Sequence, residues 1–323
     1  MGPLLVAVGD SVTSGHEARQ VNGGWRTTCD DPGTAAATPG SSWAGDLRGL
    51  LNLPWNRYFN YAHSGSSTAD VLSSTPYTNP CGVASQQAGP QINDATAVLR
   101  RWPSAPGAAN VAVSTAGVND TNWVNLATLL VGRRNAAIGL IVGRAPAWAV
   151  TDADSCNDWV FGNPAGNAVA PPGAIAPAWD GVANGGAIAG RTMTIDLALI
   201  GADPGAQIRN VMYYTWRGDP NLPAVCTQAA TRATTMLNGW ITVGAVVAKI
   251  FWAAAGGDAR RIQPVCPLAW NPGPNFIQVR LISNGIPNNR NVPGWPHPNA
   301  AGRTALATCV DGTLPRAPGG GVA

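Results

Sequence analysis

Short apolar runs, each followed by a turn cluster and then a helical pattern, limit the folds open to this chain more than any other feature. Residues 4–8 lead into Gly9, Asp10 and Ser11, residues 58–62 into His63, Ser64 and Gly65, and residues 111–115 into Ala116, Gly117, Val118 and Asn119. Residues 208–215 follow a helical stretch, and residues 276–282 precede the last loop. The runs are apolar on both faces instead of alternating, which is the pattern of parallel strands covered by helices on both sides. The helices predicted between them span residues 67–73, 90–101, 125–141, 187–199, 228–252 and 299–308. The long one is apolar enough to be a buried crossover helix, and Pro298 and Asn299 are start signals for the last.

A chain of 323 residues could form one large domain or two ordinary ones. The alternation forces no division, so residues 1–314 are expected to form a single domain and residues 315–323 a flexible tail. Across residues 144–190 the pattern fails and Pro, Gly, Asn and Trp dominate. This reads as a long irregular insertion, held in order by Cys156, Trp148, Trp159 and Trp179. The 20 basic and 17 acidic residues leave a net charge of +3 and form no like-charged run, which argues against nucleic acid or a charged membrane surface as partner. No apolar stretch approaches ~20 residues without interruption, so no transmembrane segment is expected. Met1 and Gly2 run straight into the first apolar run, as in a mature chain with a start residue added.

The six cysteines, Cys29, Cys81, Cys156, Cys226, Cys266 and Cys309, are widely spaced and contain no CxxC pair. That argues for disulfides and an oxidising, extracellular setting over a zinc site. If neighbours in sequence pair, the bridges are Cys29–Cys81, Cys156–Cys226 and Cys266–Cys309.

Ligands of open α/β sheets bind at the carboxyl ends of the strands, and Ser11 falls there. A serine hydroxyl is a poor nucleophile unless a base takes its proton, and histidine is the usual base. His16 is too close in sequence to fold back easily, and His63 shares its loop with Gly65. His297, after the last predicted strand, is the expected base. Asp10 and Asp120 invite a triad role but read better as structural hydrogen-bond acceptors, because consecutive residues at a turn point different ways. Neither HExxH nor a GxGxxG after a strand is present, so no metal or cofactor is expected.

Four blocks in order, GDSVTSG with Ser11, HSGSS with Gly65, AGVND with Gly117 and Asn119, and WPHPN with His297, resemble the SGNH or GDSL hydrolase superfamily. The resemblance implies a three-layer α/β/α fold with a flavodoxin-like five-stranded parallel sheet and long disulfide-tied loops. It implies a serine esterase or lipase of the secreted actinobacterial branch, working as a monomer on a small-molecule or lipid ester. Ser11 would be the nucleophile, and the oxyanion hole would be Ser11 N–H, Gly65 N–H and the Asn119 side-chain amide. Fixed N–H donors of this kind are worth roughly 3–4 kcal/mol each in acyl transfer. One departure stands out. Most members carry an aspartate three residues before the histidine, and here Gly294 occupies that position. Some relatives orient the imidazole with a main-chain carbonyl instead, for which the Gly294 carbonyl is the match, and Asp219 or Asp258 could supply a carboxylate from elsewhere. The alternatives are a carbohydrate acetyl esterase acting on polysaccharide, which shares these blocks, and a catalytically degenerate secreted binding module.

Overall fold

A computed structural model describes residues 2–15, 20–21, 24–25, 42–63, 66–73, 90–121, 183–214, 227–266, 300–318 and 320–323. Strand β1 (Leu5–Gly9) is buried along its whole length and leads into the one-turn helix α1 (Ser11–Ser14). A two-residue hairpin, β2 (Gln20–Val21) and β3 (Gly24–Trp25), precedes α2 (Trp43–Leu50). There follow β4 (Tyr58–Asn60), α3 (Thr68–Leu72), α4 (Gln91–Arg101) and β5 (Val111–Thr115). The remaining elements are α5 (Ala183–Ala202), β6 (Gln207–Val211), α6 (Thr227–Ala254), β7 (Ile262–Val265) and α7 (Ala300–Asp311).

The main sheet runs in the order β4-β1-β5-β6-β7, and every pairing in it is parallel. Side chains alternate across β1. Leu5 and Ala7 join a core with Trp43 and Leu47 of α2 and Leu306 and Val310 of α7. Leu4, Val6 and Val8 join another with Ile92 and Leu99 of α4, Ile195 and Leu199 of α5, and Ala245 of α6. Two apolar faces, each covered by helices, make the three-layer α/β/α arrangement that the both-face apolar runs required. Full burial of each large aliphatic side chain contributes about 1.5–3 kcal/mol.

Three expectations need correction. The fifth strand of the sheet is Ile262–Val265, a segment the sequence pattern did not single out, while the predicted strand at residues 276–282 lies outside the described residues. Helix α6 is a crossover between the adjacent strands β6 and β7, as expected, but it is buried on one side only: Val243, Val246, Ile250 and Phe251 are exposed. Its segment Thr231–Ala254 is long and apolar enough to cross a membrane by length and composition, with Arg232 and Lys249 interrupting it. Because α6 must return the chain to the neighbouring strand, it lies along the sheet and packs on α5. Finally, residues 315–318 and 320–323 are tied down. Ala323 N–H donates to Pro315 O at 2.9 Å, Ala109 N–H donates to Val322 O at 3.0 Å, and Val322 is buried in the main core.

Candidate active site

Asp10 caps α1 and Ser11 is the first residue of that helix. Asp10 Oδ1 accepts from Val12 N–H at 3.0 Å, and Asp10 O accepts from Thr13 N–H at 3.1 Å and Ser14 N–H at 2.9 Å. Gly15, at φ 76°, closes the turn. A single helical turn has too few internal bonds to hold itself, so a short acceptor at one end and a left-handed glycine at the other are what it needs. From residue 4 to residue 15 every residue is buried except Ser11. A first helical residue has no intrahelical acceptor for its N–H, and none is found for Ser11 N–H among the described residues.

β5 lies beside β1 with Thr115 opposite Gly9, so the short turn Val118–Asp120 rises from the neighbouring strand at the same carboxyl edge. The strands approach so closely that a Cβ on Gly9 would be driven into the Thr115 carbonyl oxygen, and its φ of 137° also favours glycine. Gly117, at φ 132°, redirects the chain after β5. Asn119 Nδ2 then donates to Ser66 O at 2.9 Å. An amide NH2 carries two hydrogens, so this bond fixes the amide plane and leaves the second hydrogen for another acceptor.

The edge is braced from several sides. Gln91, the first residue of α4, accepts from Gly9 N–H through Oε1 at 2.8 Å; its Nε2 donates to Gly9 O at 3.0 Å and to Ser66 Oγ at 2.9 Å. His63 N–H donates to Gly9 O at 3.1 Å, and Asn60 Nδ2 donates to Thr13 O at 3.0 Å. The Thr13 and Thr115 hydroxyls hydrogen-bond to each other. Tyr213, two residues beyond β6, donates its hydroxyl proton to Asp10 Oδ2.

The two aspartates behave as acceptors, as their positions suggested. Burial pushes the Asp10 carboxyl up to about 7, against the opposing pull of the Tyr213 and Val12 hydrogen bonds. Asp120 is raised by burial too, and it accepts from Thr68 N–H at 2.6 Å, Thr68 Oγ1 at 2.7 Å and Arg191 Nη1 at 3.1 Å.

Ser11 and Asn119 are thus brought to one edge on adjacent strands. Gly65, His297 and Gly294 lie outside the described residues, as do Cys29, Cys81, Cys156, Cys226 and Asp219; the described neighbours of the second block are His63 and Ser66. Cys266 and Cys309 form a disulfide with a Cα–Cα distance of 6.0 Å, tying the end of β7 to α7, which starts three residues after His297. Asp258 is excluded as a partner for a base beside Ser11. It caps the turn before β7, at the opposite edge of the sheet, and its carboxylate is paired with Arg260 at 2.9 Å. Sequence reasoning missed Gln91 and Tyr213. Gln91 follows Pro90 at a helix start, a weak signal, and Tyr213 sits in a run that reads only as strand. Among the described residues no cluster of three or more His, Cys, Asp or Glu is placed to hold a metal.

Residues 5–142 match the GDSL-like lipase/acylhydrolase family. No curated protein sequence matches the chain. Among solved structures, an extracellular lipase from Streptomyces rimosus is 15% identical, covers 97% of this chain and 100% of its own, and has a TM-score of 0.50. A phospholipase A1 from Streptomyces albidoflavus is 15% identical over the same shares, with a TM-score of 0.48. A family two carbohydrate esterase from Clostridium thermocellum is 12% identical, with a TM-score of 0.41 over 97% of this chain and 64% of that one. At 15% identity the likeness to the Streptomyces rimosus lipase concerns the fold alone.

Proposed function

We propose that this chain, whose residues 5–142 match the GDSL-like lipase/acylhydrolase family, is a secreted serine esterase that cleaves acyl esters with Ser11 as nucleophile and His297 as base. The observation that carries the reading is that Ser11 alone between residues 4 and 15 is only half-buried, one strand away from Asn119. A fully buried segment that opens at one hydroxyl, beside an N–H with no acceptor among the described residues, suits a nucleophile poised next to an oxyanion donor.

The reaction runs in two steps. His297 takes the Ser11 proton as Oγ adds to the ester carbonyl, and the oxyanion is held by Ser11 N–H, Gly65 N–H and the second Asn119 amide hydrogen. The imidazolium gives its proton to the leaving alcohol as the C–O bond breaks. Water, deprotonated by His297, then cleaves the acyl-serine and releases the acid. The Gly294 carbonyl accepts from His297 Nδ1 and fixes the tautomer; being neutral, it stabilises imidazolium less than a carboxylate would. No cofactor enters. The substrates are acyl esters of glycerol, phospholipid or small alcohols, and residues 1–314 form the one catalytic domain. The Cys266–Cys309 disulfide supports an oxidising compartment.

Initial rates on p-nitrophenyl acyl esters of rising chain length, beside acetylated xylan, test the reading. Wild type is expected to hydrolyse the acyl esters and Ser11→Ala to lose turnover by at least about a thousandfold. A preference for acetylated xylan would move the substrate to polysaccharide. Turnover surviving in Ser11→Ala would overturn the mechanism.

A further inference from the structure

The Tyr213 hydroxyl stands between the two halves of the site. It donates to Asp10 Oδ2, whose other carboxyl oxygen takes Val12 N–H in the helix that Ser11 begins. It accepts from Val118 N–H at 3.3 Å, one residue before Asn119. The tyrosine is itself held in place: its N–H donates to Asn238 Oδ1 at 2.9 Å and its carbonyl accepts from Asn238 Nδ2 at 2.8 Å, which fastens it to α6. One phenol oxygen therefore links segments 203 and 95 residues away in sequence.

We propose that Tyr213 is a positioning residue for ester hydrolysis, fixing the Ser11 turn and the Asn119 turn relative to each other through Asp10 and Val118. The proposal rests on the reading of Ser11 and Asn119 given above. Strand pairing between β1 and β5 stops at Gly9 and Thr115. Beyond that point each active residue sits on a turn of three or four residues that has no bulk of its own. An oxyanion donor acts only when it is held within a few tenths of an ångström of where charge develops, so an untethered turn would forfeit much of its effect. The geometry supplies the tether: Asp10 caps the nucleophile's helix and Tyr213 joins that cap to the donor's turn. Both groups are buried, and burial keeps the phenol protonated well past its ordinary range, so it remains a donor to Asp10 at working pH.

Tyr213→Phe removes one oxygen and keeps the ring. With folding checked by circular dichroism, kcat on a p-nitrophenyl ester is expected to fall about tenfold while KM stays within about twofold. The decisive comparison adds Asn119→Ala. If Tyr213 acts by placing Asn119, its removal costs less than about threefold once that amide is gone. Asp10→Asn replaces the acceptor of the Tyr213 proton with an amide donor, disturbing the same link at its other end, and is expected to behave alike, so the test survives should Tyr213→Phe not fold. Wild-type kcat in Tyr213→Phe, or an undiminished tenfold loss in the Asn119→Ala background, would overturn the proposal. Ser11→Ala is measured alongside. If it keeps turnover, the esterase mechanism falls and takes this inference with it; if it is inactive while the losses are additive, only the role of Tyr213 falls.

Discussion

Asp10 at the carboxyl edge of the sheet and Arg209 at the amino edge are both buried ionisable groups, and neither has an oppositely charged partner among the described residues. Arg209 answers its isolation by using every donor it has. Nε donates to Thr313 Oγ1 at 3.3 Å, Nη1 to Ile208 O at 2.9 Å and Arg261 O at 3.0 Å, and Nη2 to Gln207 Oε1 at 2.9 Å and Thr313 O at 3.2 Å. Five N–H groups meet five neutral acceptors, and burial with the nearby charge of Arg261 lowers the guanidinium to about 10. At the other edge the bracing is as dense, yet Ser11 N–H and one Asn119 hydrogen are left without acceptors among the described residues, beside the single half-buried residue of the segment. A buried side chain that satisfies all its donors is architecture, and donors held open beside a half-buried hydroxyl have something to bind.

That contrast can be broken by moving stability and activity separately. Arg209→Met strips five hydrogen bonds from buried acceptors and is expected to lower unfolding stability by about 4–5 kcal/mol in denaturant titration, with kcat per folded molecule unchanged. A loss of kcat instead would mean that the amino edge is part of the site. Asn119→Ala should do the reverse. Loss of one oxyanion donor raises the barrier by about 3–4 kcal/mol, a drop of two to three orders of magnitude in kcat, while the thermal midpoint moves only slightly.

A third buried group sharpens the comparison from inside the fold. Asp196 of α5 accepts from Asn210 Nδ2 at 2.8 Å, and burial raises its carboxyl to about 7. Asp10 and Asp196 thus hold protons in the folded chain that an unfolded carboxyl, near 4, would have released. Their contribution is fully present below about pH 4 and is lost as the pH rises towards 7, so stability should fall across that window. Asp196→Asn should flatten the fall by on the order of 3 kcal/mol in unfolding curves at successive pH values. An unchanged slope would place the titrating group elsewhere. The smallest effect belongs to the tail: Val322→Ala should cost about 1–2 kcal/mol and leave turnover alone, since it empties a core position at the amino edge.

The parts of the molecule legible in sequence are those set by local pattern. Val111–Thr115 is a strand as predicted, because Val111, Ala112 and Val113 are apolar on both faces and the β-branched Thr115 extends the run. Ser11 and Asn119 could be placed at the carboxyl edge because each follows such a strand within a few residues. β7 escaped because it is an edge strand that carries Gln263 and Pro264 among its four residues, a mixture that reads as loop. α2 escaped because Gly45 and Gly49 weaken its helical pattern, which the Ser42 cap and the burial of Trp43 and Leu47 override. The tail read as loose from its glycines, whereas the burial of Val322 depends on a neighbour more than two hundred residues away. The bond between Tyr213 and Asp10 left no trace for the same reason, since a hydrogen bond between distant residues has no period.

The central claim, that the open donors beside Ser11 mark a working nucleophile, is tested most directly by mapping the adduct of a fluorophosphonate probe by peptide mass. The account predicts one adduct on Ser11, none in Ser11→Ala, and labelling slowed by at least about a hundredfold in His297→Ala. An adduct on a different serine, or labelling of Ser11→Ala at the wild-type rate, would contradict it.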